Sequence, residues 1–359
     1  MPKITFNNSS RTFFQAVKSS VDDYFKSRQL KKTGNWRLYL KAWIMIPAAM
    51  AVYIYLLWGH YNLIGGLLLS AFLGFTLVCI AFNVMHDACH DSYSGKKWVN
   101  SFMGLTMNAL GSNAFIWKIK HNIIHHTYTN IDGVDDDLAN SGLLRVCSSQ
   151  KWKPLHRFQF VYMFILYSIS TLTWLLGTDF IKYFSKKIHT TPIKRISGKE
   201  HVIFWCSKIL YIFFYALLPI YLVGWQAWLT GFLIIHIMMG LILSIVFQLA
   251  HVVEKTIFEA VAEEHKVIET EWAIHEIRST ADFAPRNKVI TWLAGGLNFQ
   301  IEHHLFPHIS HIHYPALSKI VRQQCEIFGL PYNYYPSMRQ AVHSHVRLMK
   351  KLGRKNSQV

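Results

Sequence analysis

Residues 62–90 read NLIGGLLLSAFLGFTLVCIAFNVMHDACH. From Asn62 to Met85 no side chain carries a charge, and the run closes on His86, Asp87 and His90. At 1.5 Å per residue such a helix outruns the ~30 Å hydrocarbon core of a bilayer, so it can cross and deliver both histidines to the surface as it leaves. Upstream, residues 41–58 are apolar apart from Lys41, and only Gly59, His60 and Tyr61 intervene. So short a link allows only a helical hairpin. The plan recurs downstream, with apolar runs at 202–224 and 227–250 parted by Trp225 and Gln226. The sequence reads as an all-α integral membrane protein: four transmembrane helices in two hairpins, with a helical cap formed from the more polar remainder.

Charge agrees with that reading. Thirty-seven Lys and Arg against 20 Asp and Glu give a formal charge of +17, but the basic residues flank the apolar runs, which is the pattern of a membrane protein and not of a nucleic-acid binder. Neither hairpin turn contains Lys or Arg, so the positive-inside rule puts the histidine-bearing ends and both termini in the cytoplasm, with the spans in a bacterial inner membrane. Residues 158–177 are apolar enough to cross as well. A fifth crossing would put the histidines before it and after it on opposite sides, so this segment is expected to lie in the interface. Residues 41–350 then form one domain, preceded by an amphipathic segment, 1–40, and followed by a basic tail, 351–359. In the N-terminal segment Phe13, Val17, Val21, Tyr24 and Phe25 recur at helical spacing, which suits a helix resting on lipid headgroups or one docked on the protein. The start lacks the apolar core of a cleavable signal, so the first span is expected to direct insertion. The five cysteines form no CxxC pair, which argues against a disulfide framework and a thiolate metal site.

Histidines carry the chemistry. His86 and His90 stand four apart where the second run ends; His121, His125 and His126 repeat the step with an adjacent partner; His251 ends the fourth run; and Gln300, His303 and His304 lie three and four apart. With 20 histidines in 359 residues, chance alone yields about one adjacent pair, so no single motif is decisive. Their placement just past the ends of spans, on one face, is what counts. Eight imidazoles there supply about four ligands to each of two metal ions, and neutral imidazole suits Fe, Zn, Cu or Ni. His236 lies 15 residues before His251, about 22 Å along a helix, too far to share the site. A metal transporter would place more ionisable groups within its spans than His236 and Lys208.

The boxes HDACH (86–90), HNIIHH (121–126) and QIEHH (300–304) resemble those of the membrane fatty acid desaturase family. FQLAHVVE (247–254) resembles the family segment that supplies an extra ligand, and GGLNFQIEHHLFP (295–307) is similar to bacterial acyl-CoA desaturases of the linoleoyl-CoA, front-end-like type. The resemblance implies two iron ions ligated by His86, His90, His121, His125, His126, His251, His303 and His304, with Gln300 where related enzymes carry a histidine, and O2 as co-substrate. It implies an acyl-CoA or lipid-linked acyl substrate. No HPGG haem motif occurs, so electrons are expected from a separate donor, ferredoxin or a free b-type cytochrome with its reductase, docking on the basic face. A lipid hydroxylase would use the same ligand set. Asp87 is the candidate to orient a ligating imidazole, while Asp132, Asp135, Asp136 and Asp137 read first as a solvated acidic loop. An apolar tunnel is expected between the spans, with Phe115, Trp117, Met239 and Phe247 as candidate lining.

Overall fold

The computed structural model describes residues 4–9, 11–139, 142–260 and 267–355. Helix α1 (Thr12–Ser27) buries Phe13, Val17, Val21 and Phe25 against Ala273, Ile277, Phe299, Leu317 and Val321. Its apolar stripe is therefore covered by protein and is not left to lipid, so of the two readings of this segment the structure takes the docked one. Helix α2 (Trp36–Trp58) begins five residues before the apolar run because Asn35 caps it, its side chain accepting from the Arg37 amide. Asn62 likewise accepts from the Gly65 amide and starts α3 (Leu63–Cys89), which continues through a wide π turn at Ala81–Met85 into the first histidine box.

Past two short helices, Lys97–Gly104 and Thr106–Ala109, a third, Ala114–Lys118, is extended by a π-helical run Ile119–His125 (α4), and the chain then forms α5 (Pro154–Ser168) and α6 (Ser170–Ser185). These two are bent by 58° against each other. Helix α7 (Gly198–Val223) returns through Gly224, whose φ of +83° reverses the chain, into α8 (Trp225–His251). Among the described residues α2, α3, α7 and α8 are the helices long and apolar enough to cross a membrane. Their outer faces leave large apolar side chains such as Trp43, Leu68, Ile209 and Tyr221 exposed, as lipid contact requires. The two hairpins meet along α3 and α8, where a Cβ on Gly74 would stand 2.6 Å from the carbonyl oxygen of Ile235. Small residues permit this close approach where no hydrophobic effect drives helices together.

The bent pair also leans on α8. Its break leaves the Tyr167 and Ser168 carbonyls facing Gly240, where a Cβ would lie 2.7 and 2.6 Å from those oxygens. A single crossing by this pair would put the histidines of 86–126 and those of 251–304 on opposite sides of a bilayer. The two sets meet in one place, as described below, and the 58° bend between α5 and α6 is the shape of a broken span or of a re-entrant loop.

The cap comprises α1, α4, α9 (Trp272–Ser279), α10 (Gln300–Leu305), α11 (Tyr314–Ile327) and α12 (Met338–Leu352). Two-residue parallel pairings join distant loops: Thr5–Phe6 with Val267–Ile268, Ile131–Asp132 with Glu259–Ala260, and Asp282–Phe283 with Tyr334–Tyr335. Of the tail at 351–359, residues 351 and 352 complete α12, and those from 356 onward lie outside the described residues.

Candidate metal centre

All eight box and span-end histidines converge beneath the cap and are buried. Ring nitrogens of His86, His90, His121 and His303 lie within 4.8 Å of one another, and so do those of His125, His251 and His304. His126 stands between the two groups, its ring 4.5 Å from that of His303 and 4.4 Å from that of His304.

The wide turns explain the partition. In an α-helix residues four apart share a face, whereas a π-helix aligns residues five apart. The His126 amide donates to the His121 carbonyl at 3.1 Å, and the Nε2 atoms of these two residues face each other at 3.2 Å. His125 is thereby turned toward the second group. The adjacent pair His303 and His304 is divided in the same way, one to each group. Helix α10, which carries them, is anchored by Asp282, whose Oδ1 accepts from the Ile301 amide at 3.1 Å and whose Oδ2 accepts from the Tyr332 hydroxyl at 2.6 Å.

Seven of the eight imidazoles have a buried ring nitrogen with no hydrogen-bond partner: His86, His90, His125, His126, His251, His303 and His304. Leaving so many buried polar atoms unpaired is costly unless something else satisfies them, and the donor set is that of a divalent transition metal. The groups so arranged could hold two such ions. Burial, reinforced by the neighbouring imidazoles, pushes the pKa of His121, His126, His303 and His304 well below the usual value, which keeps them in the neutral, ligating form.

His90 and His251 have neither ring nitrogen hydrogen-bonded, whereas the opposite nitrogens of His304, His303 and His125 have partners, several of which were not anticipated. His304 Nδ1 lies 2.8 Å from Glu276 Oε2, an oxygen that also accepts from the Thr129 hydroxyl at 2.8 Å. His303 Nδ1 contacts the Tyr314 hydroxyl at 3.1 Å. His125 Nδ1 lies 3.1 Å from Asp135 Oδ2 and 3.3 Å from Asp137 Oδ2. Burial alone would lower the pKa of His125, but these carboxylates outweigh it and raise it. Asp135 is buried, so the solvated-loop reading fails for it. The signal for Glu276 was present: a lone acid in register with the apolar stripe of α9, between Ala273 and Ile277.

Asp87 turns away from the boxes. Its Oδ2 accepts from the Ser310 hydroxyl at 2.7 Å and the His311 amide at 3.3 Å, and its Oδ1 lies 3.0 Å from His311 Nδ1. His311 Nε2 in turn is 3.0 Å from Lys41 Nζ, which also donates to Asn83 Oδ1 at 2.8 Å. Gln300 donates from its amide nitrogen to the Leu297 carbonyl at 2.9 Å, leaving its buried Oε1 without a hydrogen-bond partner. His236 bonds Tyr211 of α7 and Thr171 of α6, apart from the centre.

The fatty acid desaturase profile matches residues 61–336. This chain belongs to the fatty acid desaturase family. It is 33% identical over 352 residues to an sn-1 linoleoyl-lipid 6-desaturase of Arthrospira platensis, covering 98% of this chain and 95% of that protein. A protein of the same name from Synechocystis sp. is 34% identical over 346 residues, covering 96% of each. An acyl-lipid (8-3)-desaturase of Physcomitrium patens is 31% identical over 345 residues, 95% of this chain and 72% of that one. The chain is thus an oxidoreductase that desaturates acyl chains with oxygen, similar to cyanobacterial front-end-like enzymes.

In this desaturase a cavity of about 870 Å³ runs between the bent pair α5–α6 and α8 to the histidines, past Trp117, His121, Trp174, Leu243, Phe247 and His251. Trp117, Trp174, Leu243 and Phe247 also border a smaller space of about 30 Å³ that reaches His86, Met107, Leu110 and Met239. Trp117 stacks on His121 at 4.3 Å and Phe247 meets the same ring edge-on at 6.0 Å. Of the four side chains expected to line the tunnel, Trp117, Met239 and Phe247 do so; Phe115 instead packs on the cluster of Ile116, Ile124 and Phe204. At the polar end Lys120 pairs with Asp137 at 2.5 Å and Asp136 at 3.7 Å, and Lys182 pairs with Asp136 at 2.5 Å.

Proposed function

We propose that this desaturase inserts a double bond into an acyl chain carried on a membrane lipid, at two irons. His86, His90, His121 and His303 hold one, His125, His251 and His304 the other, and His126 stands between. The observation that carries this reading is the set of unpartnered ring nitrogens on seven buried histidines, gathered in two groups beside an apolar cavity. Iron with O2 supplies, when bound, the oxidant that an unactivated methylene requires. Per turnover, R–CH2–CH2–R′, O2, two electrons and two protons give R–CH=CH–R′ and two waters.

The protein's own part is positioning. Trp117 and Phe247 narrow the cavity against His121, so a chain threaded between them presents one pair of carbons to the centre. Glu276, Asp135 and Tyr314 hold the far nitrogens of His304, His125 and His303, fixing the tautomers that aim the free nitrogens inward. Asp87 acts on the 310–311 turn through Ser310 and His311 and does not touch an imidazole of the boxes.

Two observations favour a lipid carrier over CoA. Both lysines at the polar end are already neutralised by Asp136 and Asp137, which leaves little to hold the phosphates of CoA, and the names of the relatives specify lipid-linked chains. The charge distribution supports a cytoplasmic centre at a bacterial inner membrane, with electrons from a ferredoxin or a free b-type cytochrome. Expression in a host fed linoleate, followed by mass spectrometry of each lipid class with double bonds mapped, tests the reading. New double bonds appearing first in glycerolipid are expected. A hydroxy acid without a new double bond makes the enzyme a hydroxylase, and new double bonds appearing first in the acyl-CoA pool make CoA the carrier.

A further inference from the structure

Among the described histidines outside the two groups, His308 alone is both exposed and bonded to a member of one of them: its Nδ1 donates to the His90 carbonyl at 2.8 Å. Three loops meet around it. The Ser310 amide donates to the Lys32 carbonyl and the Gly34 amide to the Ser92 carbonyl, both at 2.9 Å, so residues 31–34, 90–97 and 308–313 form one surface. Helix α4 joins at its edge, through Asn122 Nδ2 donating to the Cys89 carbonyl at 2.8 Å. The surface carries Lys31, Lys32, Lys96 and Lys97, all exposed, with Lys118 half-buried beside it and Asp91 as its acid. Lys32 is the member already paired, with Asp22. A positively charged surface of this kind draws an acidic protein to it and raises the rate of encounter.

We infer that this surface docks an acidic one-electron carrier protein and that His308 is where electrons enter. The inference rests on the desaturase reading, which needs two external electrons per turnover. From the exposed ring one hydrogen bond reaches the His90 carbonyl, and covalent bonds within His90 lead to an imidazole of the first group. Electron transfer favours such bonded routes over gaps. The other link of this kind, Trp272 Nε1 donating to the His126 carbonyl at 3.2 Å, is half-covered: the ring packs edge-on against Phe14 of α1 at 5.5 Å.

The test uses the iron-loaded enzyme in nanodiscs of neutral lipid, with reduced [2Fe–2S] ferredoxin as the probe. Ferredoxin binding is measured directly, and oxidation of ferredoxin is followed by its visible absorbance with substrate and O2 present. The paired charge reversal Lys96→Glu with Lys97→Glu is expected to weaken ferredoxin binding at least tenfold at low salt, to converge with wild type at high salt, and to leave the KM for lipid unchanged. His308→Leu is expected to leave ferredoxin affinity within twofold of wild type while slowing ferredoxin oxidation at least tenfold. His308→Gln, which keeps a donor for the His90 carbonyl, should recover part of that rate. Unchanged ferredoxin binding by the charge-reversed protein overturns the docking surface. So does a loss confined to binding of anionic vesicles, which would assign these lysines to lipid headgroups. Slowing by Trp272→Phe but not by His308→Leu overturns the route. If wild type forms no double bond with any reductant, while ferredoxin still binds in a lysine-dependent manner, the desaturase reading fails and the docking surface stands.

Discussion

Replacing Glu276 should release one iron and spare the other. Its Oε2 lies 2.8 Å from His304 Nδ1 and takes a second hydrogen bond, from Thr129, at 2.8 Å; the side chain is fully buried. A carboxylate so placed fixes the imidazole with its proton on Nδ1 and its lone pair on Nε2, the nitrogen left without a partner. Losing such an orienting group typically costs 10–100-fold in metal affinity, or about 1.4–2.7 kcal/mol. Where a variant falls in that range follows from what remains. Glu276→Gln keeps an oxygen that can accept from Nδ1, so the loss should be about tenfold. Glu276→Ala leaves only the Thr129 hydroxyl, 3.1 Å from Nδ1, so the loss should approach the upper bound, about 100-fold. Only the group of His125, His251 and His304 contains the affected ligand. The assay is iron content of the purified protein after challenge with graded chelator, which requires no turnover. Two steps are expected, with one iron lost early in the variants and one at the wild-type midpoint. A Glu276→Ala midpoint within twofold of wild type, or both irons leaving together, would refute the assignment of Glu276 to a single group.

Other positions give separate outcomes. Asp135→Asn removes the carboxylate at His125 Nδ1 and should loosen the same iron about tenfold, again read by chelator challenge. Met239→Trp fills the inner space of about 30 Å³ beyond the histidines, so lipids from an expressing host should show desaturated products of shorter chain and a fall in longer ones. Gly240→Val drives side-chain atoms into the Tyr167 and Ser168 carbonyls and should lower the thermal unfolding midpoint by several degrees, as overpacking costs about 1–3 kcal/mol. His345 is buried, donates from Nδ1 to the Val252 carbonyl and accepts from the Tyr167 hydroxyl on Nε2; burial pushes its pKa down to about 4 from 6.5. Between those values the unfolded chain binds more protons than the folded one, so stability present above pH 6.5 is lost as pH falls, by about 3 kcal/mol near pH 4. Unfolding midpoints in detergent across that range should drop for wild type and drop less for His345→Gln.

What the sequence made legible, and what it withheld, follows from the reach of each physical rule. Long apolar runs with at most one lysine each, Lys41 and Lys208, mark the spans directly, because a bilayer demands length and tolerates little charge. Parity is the argument against a crossing by 158–177, since histidines on either side of it must share a site. The eight imidazoles were visible as residues because each cluster abuts the end of a span or a box motif. Their division into two groups was not, because spacing was read on an α-helical wheel: His121 and His125, four apart, look like partners there, while the π-helical run Ile119–His125 aligns His121 with His126 and sends His125 to the other group. A five-residue repeat of ligands ending in an adjacent pair is how such a widened turn would announce itself. The carboxylates were harder still. Asp87 sits inside a box yet serves the 310–311 turn, and Glu276, 24 residues before the last box begins at Gln300, serves His304. Proximity in sequence favoured the first, but a buried acid on an apolar helical stripe must find a partner, and that burial requirement is the rule that would have pointed to the second.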